Sequence, residues 1–234
     1  MYEAVNARPD GDSTVSRFAE TAARYGYDGL VVRSRAACRE TDLDAVGAEF
    51  DLDVVDAVEI VADSPEQASG AVGNFRRDHT VVCVRGGTNR LNRFAVEQPR
   101  VDVLTRPMSG AGDVNHVLAT AAARNGVRVE FDLGPVLRSN GGPRVQALSD
   151  LRKLRELLAD ADAPFVVSAN ARSHLHLRAP RDLAAVGRVV GFDGETIEAG
   201  LAEWGRLAER NRDRRSDSFV EPGVRVSDCP TEER

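Results

Sequence analysis

The chain has 234 residues, of which 42% are hydrophobic and only 5% aromatic, so one large core must be built from Val, Leu and Ala rather than from rings. Net charge is −6, and of 31 basic residues only Lys153 is a lysine. No apolar run approaches the ~18 residues of a membrane span, and Cys38, Cys83 and Cys229 form neither a CxxC pair nor a disulfide framework. Membrane-spanning and disulfide-built classes are excluded, and a soluble chain of a reducing cytoplasm is expected.

An acidic chain ordinarily repels polyanions. Scarce lysine among so many arginines fits a GC-rich genome or, the reading we favour, a very salty cytosol. At molar salt the Debye length falls to about 3 Å. Long-range repulsion is then screened, and local arginine contacts can hold phosphate despite the net sign.

Strand and helix signals alternate along the chain. Tyr2 to Asn6 reads as a strand, and Ser13 or Thr14 caps a helix that ends near Gly26. Leu30 to Val32 is a strand ending in Arg33, Asp42 starts a short helix, and Leu52 to Val61 is a Val- and Ile-rich strand. Ser64-Pro65 opens a helix that runs to about Arg76. The strand His79 to Val84 ends in Arg85, a glycine pair turns the chain, a short helix carries Arg90 and Arg93, and the strand Val101 to Leu104 ends in Arg106. Asp113 is expected to cap a helix with Val114, Val117, Leu118 and Ala121 facing inward, stopped at Asn125-Gly126. Val127 to Leu133 is a strand. A turn at Gly141-Gly142-Pro143 precedes a long helix with Val145, Leu148, Leu151, Leu154 and Leu158 as its apolar stripe. Phe165 to Ser168 is a strand, Pro180 opens a helix, and Glu195 to Arg214 forms the last one.

About seven β-then-α units of near-even spacing imply an α/β fold with parallel strands and right-handed crossovers. A closed barrel of the eight-fold β/α type and an open doubly wound sheet both fit. The even spacing, and the lack of GxGxxG after the first strand, favour the barrel. Residues 1–214 are expected to form this single domain, with 215–234 a disordered polar tail.

In such folds function gathers at the carboxyl ends of strands. Arg33 and Arg35, Arg85, Arg106, Arg138 and Arg172 fall there. A ring of planar, multi-donor guanidiniums suits phosphate, although so arginine-rich a chain places many on loops by composition alone. The segment Arg85-Gly86-Gly87-Thr88-Asn89 is either an anion-holding helix start or, preferably, a tight turn. His174 and His176, on one side of an extended segment, with Glu130 and Asp132, could ligate a metal, but their neighbours Ser173, Leu175 and Leu177 supply no further ligand. Glu130 and Asp132 alternate on one strand and are read as neutralising the arginine ring. Ser168 has no GxSxG elbow, and Cys83 reads as core.

Several blocks carry a resemblance: ARYGYDGLVV, NRLNRFAVEQPRVDVLTRP, DVNHVLATAAARNGVRVEFDLGPVL, RVQALSDLRKLRELLADADAPFVVSANARSHLHLRAPRDLAAVG and the terminal AERNRDR. In this order they resemble the archaeal ribonuclease P protein component 3 family over most of residues 1 to 214. The resemblance implies a barrel related to metal-dependent phosphoesterases but without their metal cluster. It implies a protein subunit of the ribonucleoprotein that removes the 5′ leader from precursor tRNA, with catalytic groups and magnesium ions in the RNA subunit. Partners would be that RNA, precursor tRNA and the small component 2. Arg33, Arg85, Arg90, Arg93, Arg106, Arg138 and Arg172 are the candidate contacts, and no catalytic or metal-binding residue is assigned. Family members from low-salt organisms tend to be basic and lysine-bearing, so here arginine hydrogen bonds must carry more of the binding than counterion release.

Overall fold

The computed structural model describes residues 1–34, 41–215, 219–221 and 224–225. The strands are β1 Tyr2–Asn6, β2 Gly29–Ser34, β3 Asp53–Ile60, β4 Val81–Arg85, β5 Val103–Thr105, β6 Arg128–Asp132 and β7 Phe165–Ser168. They are parallel and lie side by side in chain order. The helices are α1 Val15–Arg24, α2 Leu43–Phe50, α3 Pro65–Phe75, α4 Asn89–Glu97, α5 His116–Asn125, α6 Gly134–Arg138, α7 Gly141–Asp160, α8 Pro180–Val190 and α9 Gly194–Arg215. The sheet curls until β1 meets the end of β7, where Val5 bridges Ala171 and the Asn6 N–H donates to the Ala171 carbonyl at 2.8 Å. The barrel is therefore nearly closed, as the spacing of the units predicts.

Alternation along each strand sorts side chains into two cores. Leu30 and Val32 face the helices, while Val31 faces inward; Ala4, Val55, Ala57, Val81, Cys83, Val103 and Val166 join it in the barrel interior. These inner residues are small because the barrel is narrow, and its filling is completed by Trp204, Leu207 and Ala208 of α9. That helix is pinned near the strands' amino ends: the Asn211 amide donates to the Thr80 carbonyl and to Asp102, both at 2.9 Å, and Arg212 pairs with Asp53 at 2.7 Å.

Besides that single bridge, side chains finish the seam between β1 and β7. Ala169 N–H donates to the Glu3 carboxyl at 2.8 Å, and the Trp204 indole N–H donates to the Val167 carbonyl at 2.9 Å. Both edge groups would otherwise be buried without partners, a cost of about 1–3 kcal/mol each. Burial pushes the Glu3 carboxyl up to about 8.

Several expectations need correction. Asn115, not Asp113, caps α5, through its side chain to the Leu118 N–H at 3.0 Å. Val117 and Val145 are exposed rather than inward-facing. Both sit at the solvent edge of their stripes, where a one-position error in helical phase moves a residue by 100°. Gly141 begins α7 rather than preceding it, and the short α6 was hidden in the strand-to-turn passage. His174–His176 is a single 3-10 turn, not an extended segment. Beyond Arg215, β8 Phe219–Glu221 and β9 Val224–Arg225 pair as an antiparallel hairpin.

Candidate interface at the carboxyl end of the barrel

The inward alternation that places Val31, Ala57, Cys83, Val103 and Val166 in the apolar interior places the residues two further on at the barrel mouth. These are Arg33, Glu59, Arg85, Thr105 and Ser168, joined by Glu130 and Asp132 of β6. Arg33 has no exposed surface. Its guanidinium lies 5.8 Å from the Trp204 ring centre and donates to Glu130 at 2.8 Å and to Asn170 Oδ1 at 3.1 Å; Glu59 is 3.9 Å away. Glu59 also binds Thr105 Oγ1 at 2.7 Å and Arg85. Glu130 accepts from Ser168 Oγ at 2.7 Å and from the Arg106 N–H at 3.3 Å.

Asn170 is the hub of this lattice. Its Oδ1 accepts from Asn6, Arg33 and Arg106, and its amide donates to Asp132 at 2.8 Å. Both Asn170 (φ 48°) and Arg106 (φ 49°) hold the left-handed conformation uncommon for residues other than glycine. Arg138, on α6, donates to the carbonyls of Ala169 and Asn170 at 2.8 and 3.1 Å.

The electrostatics follow from burial and neighbours. Burial alone would raise Glu59, but Arg33, Arg85 and Arg106 hold it down at about 2. Burial raises Glu130 despite Arg33. Burial acts to lower Arg33, and Glu130 and Glu59 more than reverse it. Burial likewise drives the Cys83 thiol up, so this interior residue is no nucleophile.

The candidate arginines thus separate. Arg33 is removed from the interface: as a buried counter-ion it cannot reach a partner. Arg85 and Arg106 are partly exposed at the mouth, and Arg138 and Arg172 are exposed there, Arg172 donating to the Asp10 carbonyl. Arg90 and Arg93 are exposed on α4, Arg90 3.7 Å from Glu66 and Arg93 donating to Glu97 at 2.9 Å. Arg35 lies outside the described residues. The glycine pair forms a turn rather than an open nest. Thr88 caps α4, the Gly87 N–H donates to Asn92, and a Cβ on Gly86 would fall 2.2 Å from Asn92 Oδ1. Among the described residues no three His, Cys, Asp or Glu side chains gather to hold a metal ion. His174 Nδ1 lies 2.9 Å from Ser13 Oγ, and the β6 carboxylates are committed to arginine and amide groups. Glu3, Glu59, Thr105 and Asn170 escaped the sequence reading, although Glu59 shares the inward period of Val55 and Ala57.

The geometry defines a parallel β/α barrel whose mouth carboxylates are bound by arginine, hydroxyl and amide donors, with further arginines around it. The chain belongs to the RNase P subunit p30 family, whose model matches residues 1–216. It is similar to ribonuclease P protein component 3 of Halorubrum lacusprofundi, 61% identical over 233 residues covering 96% of this chain and 97% of the relative. The component 3 of Methanosarcina barkeri is 33% identical over 224 residues, covering 95% and 93%. Among solved structures, a chain of archaeal ribonuclease P with mature tRNA superposes with a TM-score of 0.83 at 22% identity, covering 99% of this chain and 100% of that one. Ochratoxinase of A. niger shares the barrel alone, with a TM-score of 0.56 at 11% identity over 86% and 69%. The relatives at 61% and 59% identity come from the halophilic archaea Halorubrum lacusprofundi and Haloarcula marismortui, in keeping with an acidic, lysine-poor composition.

Proposed function

We propose that this ribonuclease P protein subunit supports removal of the 5′ leader from precursor tRNA without supplying catalytic groups, which belong to the RNA subunit together with its magnesium ions. The observation that carries this reading is the state of the mouth. The carboxylates Glu59, Glu130 and Asp132, which would serve as metal ligands or general bases in a hydrolytic barrel, are each bound by arginine, hydroxyl or amide donors. Arg90, Arg93 and Arg172 present exposed guanidiniums suited to phosphate. The partners are the RNA subunit, precursor tRNA and the small component 2, and the setting is the cytoplasm. No helix among the described residues is long and apolar enough to cross a membrane.

Purified chain, stripped of RNA, is incubated with precursor tRNA and magnesium. No leader is expected to be released. Release that persists after ribonuclease treatment of the protein would overturn the assignment of catalysis to RNA.

A further inference from the structure

Helix α7 stands beside the carboxyl ends of β5 to β7 and encloses a cleft of about 640 Å³, within the range of roughly 300–1,000 Å³ occupied by small-molecule sites. Its lining combines Arg106, Arg138 and Arg172 with the apolar Met108, Ala147 and Leu151. Arg106 is locked in place: its N–H binds Glu130, its Nη2 binds Asn170, and its left-handed backbone fixes the direction of the side chain. Yet its buried Nε has no hydrogen-bond partner, and Asp132 stays 3.9 Å away. An orphaned buried donor costs about 1–3 kcal/mol unless something else satisfies it. Arg138 spends two of its five N–H groups on carbonyls and keeps the rest.

Arg106, Arg138 and Arg172 line the cleft beside Glu130 and Asp132, whose oxygens already accept from Arg33, Ser168 and Asn170. Asp150, a further carboxylate of the lining, is engaged by Gln146 at 2.8 Å.

We infer that this cleft binds a small phosphorylated ligand of nucleoside monophosphate size, its phosphate held between Arg106 and Arg138 and its ring laid against Met108 and Leu151. A free nucleotide and a single unpaired nucleotide of an RNA share this chemistry. The inference stands apart from the assignment of catalysis to RNA.

Calorimetric titration of the full chain in molar potassium chloride tests it, with adenosine 5′-monophosphate, adenosine, inorganic phosphate and a single-stranded oligoadenylate as probes. The monophosphate is expected to saturate one site, at least about tenfold more tightly than adenosine or phosphate. Arg106→Gln is expected to weaken it about tenfold or more. Ala147→Trp, which fills the cleft from a half-buried position on α7 and removes no arginine, is expected to abolish binding with the melting temperature retained. If the monophosphate binds more tightly than the oligomer, the source is a free nucleotide. An oligomer that binds more tightly and competes with the monophosphate identifies an RNA nucleotide. Lack of saturable monophosphate binding, equal affinity for adenosine, or indifference to both substitutions overturns the inference. None of those results would alter reconstituted precursor cleavage, so the two readings fail separately.

Discussion

Replacing Arg33 by methionine removes a guanidinium that has no exposed surface and leaves Glu130, equally buried, without its cation. Breaking one side of a buried ion pair costs about 3–5 kcal/mol. Here the lower end is expected, because Glu130 keeps the Ser168 hydroxyl and the Arg106 N–H and is already raised by burial, so it can take up a proton. For a domain of this size each kcal/mol moves the melting temperature by about 2–4 °C, so a fall on the order of 10 °C is expected. Trp204, the only tryptophan, lies 5.8 Å from the Arg33 guanidinium and reports the transition by fluorescence. The double variant Arg33→Met with Glu130→Gln removes both charges and is expected to regain at least half of the loss. A loss under about 1 kcal/mol for the single variant, or a double variant no more stable than the single, would refute the buried lattice as the organiser of the mouth.

Trp204→Phe keeps the ring but leaves the Val167 carbonyl at the seam unpaired, and thermal unfolding followed by circular dichroism should show a loss of about 1–3 kcal/mol. Stability should also depend on pH through two carboxyls moved in opposite directions. Glu3 is raised from 4.5 to about 8, so its contribution is full below pH 4.5 and is lost as pH rises through about 8; Glu3→Gln should flatten that alkaline limb in denaturant titrations. Glu59 is lowered from 4.5 to about 2, so its contribution is full above pH 4.5 and disappears as pH falls through about 2. Arg90→Ala with Arg93→Ala should lower precursor cleavage in the reconstituted enzyme while leaving the melting temperature unchanged, since both side chains are exposed on α4.

Much of the architecture was legible because parallel strands buried on both faces leave a simple trace. The Val-rich runs at 30–32, 54–58 and 81–84, separated by capped helices, imply parallel β/α units, and their even spacing favours the barrel over an open sheet. The mouth was only half legible. Arg33 sits two residues after Val31, so the strand period itself turns it inward; read as the end of a strand, it passed for a surface residue. What makes an inward arginine tolerable is Glu130, 97 positions away, and no local pattern announces that pairing. The same holds for Asn170, whose role depends on four strands and loops converging on its amide. Arg90 and Arg93 were legible as helix residues, but not as pairing with Glu66 and Glu97 instead of joining the side-chain lattice of the mouth.

The most direct measurement is the rate of precursor tRNA cleavage by the RNA subunit and component 2, at molar potassium chloride and fixed magnesium, with this chain added or omitted. A faster rate with the chain, and no cleavage by the chain alone, is the expected result. Equal rates with and without it would contradict a supporting role in ribonuclease P.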